Sequence, residues 1–385
     1  MDQRPSPWSD LPLELGGLIL RLLPCHMDRL GFRSACRQWR LAERQHRPHL
    51  PPPGLPLMIW LGEHNFLSLA GGELRRFRTD HVDVLRRRFP SCRGSFDGWL
   101  LFQRYGEHSM CFLINPLSGA NIKIPLLLDN GARFDRFPMC KIIVCSPNLI
   151  AAILWGSSVG FYRPGASSWS ACPTDYCGRG SYVDIALYRG KIYALNTKDG
   201  LFIHEVGDAA AAVAAAAGIP KASHVVDNAI ASQPLEIANP EGIVTRRYLV
   251  VSCIGKLLLV KLMVPFRLPR SGSSSSKAID GIMLKVFEAD LEMGRWMEVN
   301  NLDNGEALFV SGGCSRAVRL TGSDKRFQDN CVYILGHVFS DMYCCEAMPT
   351  YGSYDLKNGT IRQVVLDRML VVWPVLSMEW FFPQE

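Results

Sequence analysis

The sequence predicts a mainly β protein with a small α-helical module at its N-terminus. Apolar residues recur every three or four positions up to about residue 45, and from Leu57 onward they alternate with polar residues. Hairpin-type turn pairs separate these alternating runs, and there is no regular alternation of strand and helix patterns, which disfavours a parallel sheet. At 385 residues, the chain is long enough for one large domain and a small appendage.

Two helices are predicted in the N-terminal module, over about 10–23 and about 28–45, and Pro24 ends the first because proline cannot continue a helix. Gly16 and Gly17 each weaken the first helix by about 1 kcal/mol relative to alanine, so we expect it to need a partner surface. Its apolar positions form one stripe at three- and four-residue steps: Leu11, Leu15, Leu18, Ile19, Leu22 and Leu23.

A proline-rich linker is predicted at 48–56, where five of nine residues are proline. The β-rich runs that follow are Leu57–Leu61, Trp99–Phe102, Cys111–Asn115, Lys141–Cys145, Ile150–Trp155, Val183–Leu187, Lys191–Leu195, Leu201–Val206, Tyr248–Ser252, Lys256–Met263, Met283–Glu288, Leu308–Ser311, Cys331–Leu335 and Arg362–Leu366. Four pairs predict hairpin turns: Asp97-Gly98, Asp199-Gly200, Asn304-Gly305 and Asn358-Gly359.

The runs repeat with the period of a propeller blade. Gly98 and Gly190 lie two units of about 46 residues apart, and a strand, turn and tryptophan recur before Trp169 and Trp296. We therefore expect residues 57–385 to form a kelch-like β-propeller of about six or seven four-stranded blades. Two segments are predicted to be insertions in it, at about 207–234 and 268–281.

Composition and charge limit the compartment and the partners. The chain is 48% hydrophobic and carries a net charge of +6, and its longest apolar runs are too short to cross a membrane. Thirteen cysteines without a secretory leader predict reduced thiols in the cytoplasm, the nucleus or both. Arginines concentrate in residues 1–50 and 73–93, but no stacking aromatics are interleaved with them, so we expect neither a nucleic-acid nor a membrane partner.

Catalytic and metal-binding motifs are not found. There is no Gly-x-Ser-x-Gly elbow and no phosphate-binding loop, and the nine histidines stand singly. We expect no catalytic residues, no cofactor and no metal. A propeller-fold enzyme or a ligand-binding scaffold, with the helices docked structurally, remains the alternative. The four tryptophans that could line a ligand groove are more often found in blade cores: Trp99, Trp155, Trp169 and Trp296.

Residues 8–47 resemble the F-box, the segment that attaches a substrate receptor to the Skp adaptor of a cullin–RING ubiquitin ligase. Gly16, where a bulkier residue is common, and Ala35, where valine is usual, depart from that pattern and would loosen its packing. The resemblance implies an adaptor-binding or helix-core role for ten residues: Leu11, Pro12, Leu15, Ile19, Leu22, Pro24, Leu30, Arg33, Cys36 and Trp39.

The rest of the chain resembles the C-terminal domain of unknown function 295 that accompanies many plant F-box proteins. The motifs that carry this similarity include Gly94-Ser-Phe-Asp-Gly-Trp-Leu100, Asn115-Pro-Leu-Ser-Gly119, Tyr188-Arg-Gly-Lys-Ile-Tyr-Ala-Leu195 and Asp329-Asn-Cys-Val-Tyr333. Together the resemblances imply a non-catalytic substrate-recognition subunit of an SCF-type ubiquitin ligase. Its expected partners are a Skp-type adaptor, through it the cullin and RING subunits, and a protein target that the sequence does not identify.

Overall fold

The computed structural model describes the residues that form the helices and most of the strands, together with their short connections. These are residues 11–23, 26–46, 57–60, 65–68, 73–76, 91–96, 98–104, 110–116, 118–125, 141–154, 158–166, 169–171, 181–204, 222–226, 243–265, 282–320, 327–336, 350–365 and 378–382. The predicted linker at 48–56 and the predicted insertion at 268–281 lie outside them.

Three helices form the N-terminal module: α1 (Leu13–Leu22), α2 (His26–Ala35) and α3 (Arg37–His46). The first predicted helix is confirmed, and Pro12 occupies its N-cap position. The single second helix predicted over 28–45 was wrong, because the chain breaks at Cys36 into two helices. Within the described ranges, no helix is long and apolar enough to span a bilayer.

The described strands form six sheets. We number them along the chain from the sheet that begins with β4, and the sheet that joins β1 to β3 with the C-terminal strand β25 is sheet 6. Sheet 1 holds β4 to β7, which are Ser91–Phe96, Trp99–Arg104, Met110–Ile114 and Asn121–Ile124. Sheet 2 holds β8 to β11, which are Ile142–Ser146, Leu149–Leu154, Ser158–Tyr162 and Ser170–Ala171. Sheet 3 holds β12 to β15, which are Tyr182–Tyr188, Lys191–Asn196, Leu201–His204 and Ala222–Val226.

The remaining strands complete the set. Sheet 4 holds β16 to β19, which are Ile243–Val251, Leu257–Pro265, Met283–Asp290 and Arg295–Val299. Sheet 5 holds β20 to β24, which are Glu306–Val310, Ser315–Arg319, Cys331–Gly336, Thr350–Asp355 and Thr360–Val365. Sheet 6 joins β1 to β3 (Leu57–Trp60, Asn65–Ser68 and Glu73–Arg76) to β25 (Met378–Phe381). Every predicted β-run overlaps one of these strands.

The six sheets are arranged in a ring. The first strands of successive sheets are in contact, β4 with β8, β8 with β12, β12 with β16, and β16 with β20 and β21. The C-terminal strand β25 contacts β22 on one side and β4 on the other, which closes the circle. Consecutive antiparallel sheets around a common axis make a β-propeller, and the predicted fold class is confirmed.

The two ends of the propeller are joined within sheet 6. Strand β25 pairs with β1 in antiparallel register, with Phe381 opposite Leu57 and Met378 opposite Trp60. Trp380 of β25 is fully buried, and its backbone carbonyl accepts a hydrogen bond from the Ser95 hydroxyl of β4. The closure therefore holds sheet 6 together and ties it to sheet 1.

Two details of the sheets differ from the predictions. The segment predicted as an insertion at 207–234 contains β15 (Ala222–Val226), the fourth strand of sheet 3, so that prediction was wrong for this part. Asn304-Gly305 does not form a hairpin, because it lies in a short 3-10 turn between β19 and β20, which belong to different sheets. In sheet 5, β20 pairs with β22 in parallel, and the β20–β21 hairpin is added at its inner edge.

The apolar core lies between neighbouring sheets. One cluster joins sheets 4 and 5 around Val260, Leu308 and Val332, and similar clusters join the other pairs along the chain. The core interpretation of the tryptophans is confirmed for three: Trp296 is buried between sheets 3 and 4, and Trp99 and Trp169 pack between sheets 1 and 2. Trp155 lies outside the described residues.

Candidate functional site

The helical module has a small core of its own. Leu20 of α1, Phe32 of α2 and Ala42 of α3 are buried against one another. The Trp39 ring stacks on Phe32 at a centroid distance of 4.5 Å, which covers this core from one side. The other side chains packed on the cluster also belong to the module: Leu13, Ile19 and Leu23. The three helices thus bury their inner faces on one another.

The two glycines of α1 lie where α1 meets α3. A Cβ atom at Gly16 would stand 2.8 Å from the Ala42 Cβ, and one at Gly17 would stand 2.6 Å from the His46 ring. Both distances are shorter than normal van der Waals contact. The expectation that Gly16 loosens the packing was therefore wrong: the missing side chains let α1 and α3 approach closely.

The break between α2 and α3 is stabilised by Cys36. Its Sγ accepts a hydrogen bond from the backbone N–H of Trp39 at 3.4 Å, so Cys36 occupies the N-cap position of α3. The end of α1 is stabilised in a similar way, since the Arg29 guanidinium donates to the Leu23 carbonyl at 2.9 Å. These local bonds fix the angles at which the three helices meet.

The outer face of α1 carries three leucines that this core does not cover. Leu15, Leu18 and Leu22 retain 46%, 54% and 80% of their accessible surface, and their spacing places them on one side of the helix. A contiguous apolar face on so short a helix is typical of a surface that a partner protein covers. We call these three residues the α1 leucine face.

The ten residues implied by the F-box resemblance divide between this face and the core. Leu15 and Leu22 lie on the α1 leucine face, whereas Ile19 and Trp39 pack on the core. The other positions are distributed as follows: Pro12 is exposed, Leu11, Arg33 and Cys36 are half-buried, Pro24 lies outside the described residues, and Leu30 lies in α2 without a described side chain. Leu18, which is not among the ten, lies on the same exposed face, and its steps from Leu15 and to Leu22 could have identified this position.

The propeller axis is filled by buried charged and polar side chains. Lys141, just before β8, forms a buried ion pair with Asp184 of β12, and Asp184 also accepts the backbone N–H of Leu249 in β16 at 2.7 Å. Lys141 reaches Ser315 of β21 as well, at 3.5 Å. Because sheets 2 and 5 stand on opposite sides of a ring of six, this contact passes through the axis.

Glu379 completes the axial cluster from β25. Its Oε2 accepts hydrogen bonds from the Ser311 hydroxyl at 2.5 Å and from the Gly313 N–H at 2.9 Å. Burial raises the pKa of Glu379 to about 7, although these two donors and the nearby Lys141 favour the charged form. The Glu379 carboxyl thus joins sheet 6 to sheet 5, with Lys141 of sheet 2 nearby.

Sheets 5 and 1 approach each other closely beside this cluster. A Cβ atom at Gly94 of β4 would stand 3.0 Å from the Gly313 Cα, so the turn between β20 and β21 reaches past sheet 6 to sheet 1. These contacts make a rigid frame, on which turns and loops are displayed at the rims.

A second charged cluster ties sheet 3 to sheet 4. Asp199, in the turn between β13 and β14, pairs with Arg247 of β16 and with Lys261 of β17, the latter at 2.8 Å. Its own carbonyl accepts the indole N–H of Trp296 at 2.8 Å. Asp199, and not the following Gly200, has a positive φ of 65°. The predicted turn is present, and its aspartate acts as an inter-sheet anchor.

Comparisons with known proteins agree with this architecture. The family model of the KIB1-4 beta-propeller matches residues 66–359, well over half of the chain. No curated protein matches the chain.

Many solved structures match the chain at low identity. The Cps50 (Swd1) beta-propeller domain of Myceliophteria thermophila is 11% identical, with a TM-score of 0.36, and the match covers 82% of this chain and 81% of that one. Virginiamycin B lyase from Staphylococcus aureus is 10% identical, with a TM-score of 0.30 and coverages of 72% and 83%. YCF48 from Cyanidioschyzon merolae is 12% identical, with a TM-score of 0.30 and coverages of 71% and 81%.

Proposed function

The chain belongs to the KIB1-4 beta-propeller family, and we propose that it is the substrate-recognition subunit of an SCF-type cullin–RING ubiquitin ligase. In this proposal the helical module binds a Skp-type adaptor, and the propeller holds a protein target. The F-box resemblance of residues 8–47 and the resemblance of the remainder to domain family 295 both favour this arrangement. The chain itself makes and breaks no bond.

The observation that carries the proposal is the α1 leucine face. The module fills its own core with Leu20, Phe32 and Ala42, and yet it leaves three leucines uncovered on one side of a ten-residue helix. Burying a leucine side chain stabilises a complex by about 1.5–3 kcal/mol. Helices of a Skp-type adaptor would gain that free energy by covering Leu15, Leu18 and Leu22.

The propeller suits the capture of a protein. Its closed ring gives a rigid frame, on which turns and loops at the rims can present a binding surface. Delivery then works through effective concentration: a target held on the propeller stays close to the ubiquitin carrier that the cullin and RING subunits bring.

The direct test is co-purification of the full chain with a Skp-type adaptor. We expect the triple variant Leu15→Ala, Leu18→Ala, Leu22→Ala to lose adaptor binding by at least a hundredfold while the chain stays folded, because the three side chains are exposed. The matched control is Ile254→Ala with Met293→Ala, two exposed apolar residues of the propeller turns, at 40% and 67% exposure. Equal adaptor binding by the triple variant and the control would overturn the proposal.

The second test separates capture from delivery in cells. Deleting residues 1–50 should leave a propeller that still binds its target but no longer transfers it to the ligase, so the target should accumulate. The measurement is the target's half-life with the full chain, with the deletion and with neither. A deletion that shortens the half-life as effectively as the full chain would contradict the receptor role, and an enzymatic activity retained by the deletion would favour a propeller-fold enzyme instead.

A further inference from the structure

The outer face of α3 differs chemically from the α1 leucine face. At about 100° per residue, the side chains of Arg37, Arg40, Leu41 and Arg44 fall within a single arc of about 100°, and all four are exposed. The opposite side of α3 faces the module: Trp39, Ala42, Glu43 and His46. We call the four exposed residues the α3 basic face.

The charge on this face is not neutralised within the described structure. No carboxylate of the described residues lies within ion-pair distance of Arg37, Arg40 or Arg44. The nearest acidic residue in sequence, Glu43, is buried on the inner side of the helix. Residues 11–46 contain six arginines and three acidic residues, so the excess positive charge is concentrated where the helix meets solvent.

An apolar site lies within the same face. Leu41 is 43% exposed, and with Cys36, Arg37 and Gln38 it lines an open depression at the junction of α2 and α3. An apolar side chain placed here would contact Leu41 while its neighbours remain within reach of the guanidinium groups. A face of this kind combines a charge that attracts a partner with an anchor that retains it.

We propose that the α3 basic face is a second docking surface, which binds an acidic segment of a protein partner with one large apolar side chain seated beside Leu41. Charge complementarity identifies the occupant, since three exposed guanidinium groups that form no ion pair with a described carboxylate match carboxylates in forked geometry. The Nε of Arg40 donates to the Arg33 carbonyl at 3.4 Å, so its terminal nitrogens are the ones that face a ligand. Single-stranded RNA would also be attracted, but Trp39, the aromatic of α3, is stacked on Phe32 inside the module and offers no platform for bases.

This surface is separate from the proposed adaptor site. The α1 leucine face is apolar and carries Arg21 as its only neighbouring cation on α1, whereas the α3 face is basic with a single leucine. The inference therefore stands whether or not the partner of α1 is a Skp-type adaptor. The two surfaces are distinguished by salt, because only binding to the α3 face should weaken steeply as ionic strength rises.

The test uses the full chain and fluorescein-labelled peptides of sixteen residues, half of them Asp or Glu, with a single central Phe, Leu or Trp. We expect fluorescence polarisation to show saturable binding that weakens at least tenfold between 50 and 300 mM salt. The variant Arg37→Glu, Arg40→Glu, Arg44→Glu should lose at least thirtyfold in affinity, and Leu41→Ala at least threefold. The matched charge control is Arg319→Glu, Lys357→Glu, Arg362→Glu, three exposed cations of the propeller.

Three results would overturn the inference. One is that none of the peptides shows saturable binding at low salt. Another is that the control weakens binding as much as the α3 variant does. The third is that a sixteen-nucleotide RNA binds more tightly than every peptide. If the variant with three charge-reversed arginines on α3 still binds the adaptor fully, the proposed function is unaffected. If the α1 triple variant loses adaptor binding but binds the peptides as before, the two surfaces are independent.

Discussion

The helical module and the propeller bury their apolar surface in different ways. In the propeller the ring closes through β25, and apolar clusters join sheet 1 to sheet 2 and so on around to the C-terminal strand β25. The helical module has only three short helices, and its core is complete before the α1 leucine face is covered. The difference is that the propeller covers its apolar surface by closing on itself, whereas the module leaves the α1 leucine face exposed.

The two regions also treat charge differently. The propeller takes charged side chains into its interior and pairs them, Lys141 with Asp184 and Lys261 with Asp199. The helical module keeps Arg37, Arg40 and Arg44 in solvent. Buried pairs between sheets fix the geometry of the ring, and exposed cations remain free to meet another molecule.

The largest effect should come from breaking the ring closure. Trp380→Ala removes a fully buried side chain that packs on Phe309 and donates its indole N–H to the Val310 carbonyl at 3.0 Å. We expect the free energy of unfolding to fall by about 3–5 kcal/mol, measured by urea titration with far-ultraviolet circular dichroism. Met297→Ala, on the outer strand of sheet 4 and 39% exposed, is the control and should change it by less than about 0.5 kcal/mol.

Two leucines of α1 test the contrast within one helix. Leu20 is fully buried and Leu22 is 80% exposed. Leu20→Ala should destabilise the helical module by about 2–5 kcal/mol, seen as faster amide hydrogen exchange in α1 to α3. Leu22→Ala should leave exchange unchanged and weaken adaptor binding instead. Similar exchange rates in both variants would contradict the assignment of an inner and an outer face.

Glu379 tests whether the axis of the propeller responds to pH. Burial raises its pKa from 4.5 to about 7, so its contribution to stability is complete below pH 4.5 and is lost as the pH rises through about 7. Glu379→Gln should remove this loss, which amounts to no more than about 3 kcal/mol. The difference in unfolding free energy between the wild type and the variant, measured from pH 5 to pH 8.5, isolates this group.

Two other groups provide the comparison for that experiment. The matched control for the substitution is Glu298→Gln, at an exposed carboxylate that pairs with Lys285, measured under the same conditions. Burial lowers the pKa of His204 to about 4, so this group acts in the opposite direction and reduces stability as the pH falls below about 6.5. A Glu379→Gln profile parallel to that of the wild type above pH 5 would show that the carboxyl does not titrate in this range.

The smallest effect concerns the close approach of α1 and α3. Gly16→Ala places a methyl group 2.8 Å from the Ala42 Cβ, which the α3 backbone holds in place, and the strain of about 1–3 kcal/mol should exceed the helix-propensity gain of about 1 kcal/mol. Gly31→Ala in α2 is the matched control, because nothing lies within 4 Å of its Cβ position. We expect the first variant to destabilise the module and the second to stabilise it, measured by hydrogen exchange. Stabilisation by both would contradict the close packing.

Local patterns made much of the fold predictable. The short apolar runs at Lys191–Asn196 and Leu257–Pro265 indicate strands that are buried on both faces between neighbouring sheets. The blade-sized spacing of turns predicted a propeller, and the step of three and four residues predicted α1. The charged residues of the axis can also be recognised in the sequence, because Lys141, Asp184 and Glu379 each interrupt or adjoin an apolar run. No local pattern shows, however, that the three side chains lie near one another.

The sequence by itself determined the first helix, the β-rich runs that form strands and the apolar faces within them, because these depend on periodicity over a few residues. Only the tertiary structure decided what covers those faces. The pairing of β25 with β1 joins residues more than 300 positions apart, the parallel pairing of β20 with β22 depends on the hairpin at the sheet's edge, and Gly16 meets Ala42 only once three helices are packed. Such contacts arise from the free energy of the whole assembled chain, which no short window of sequence contains.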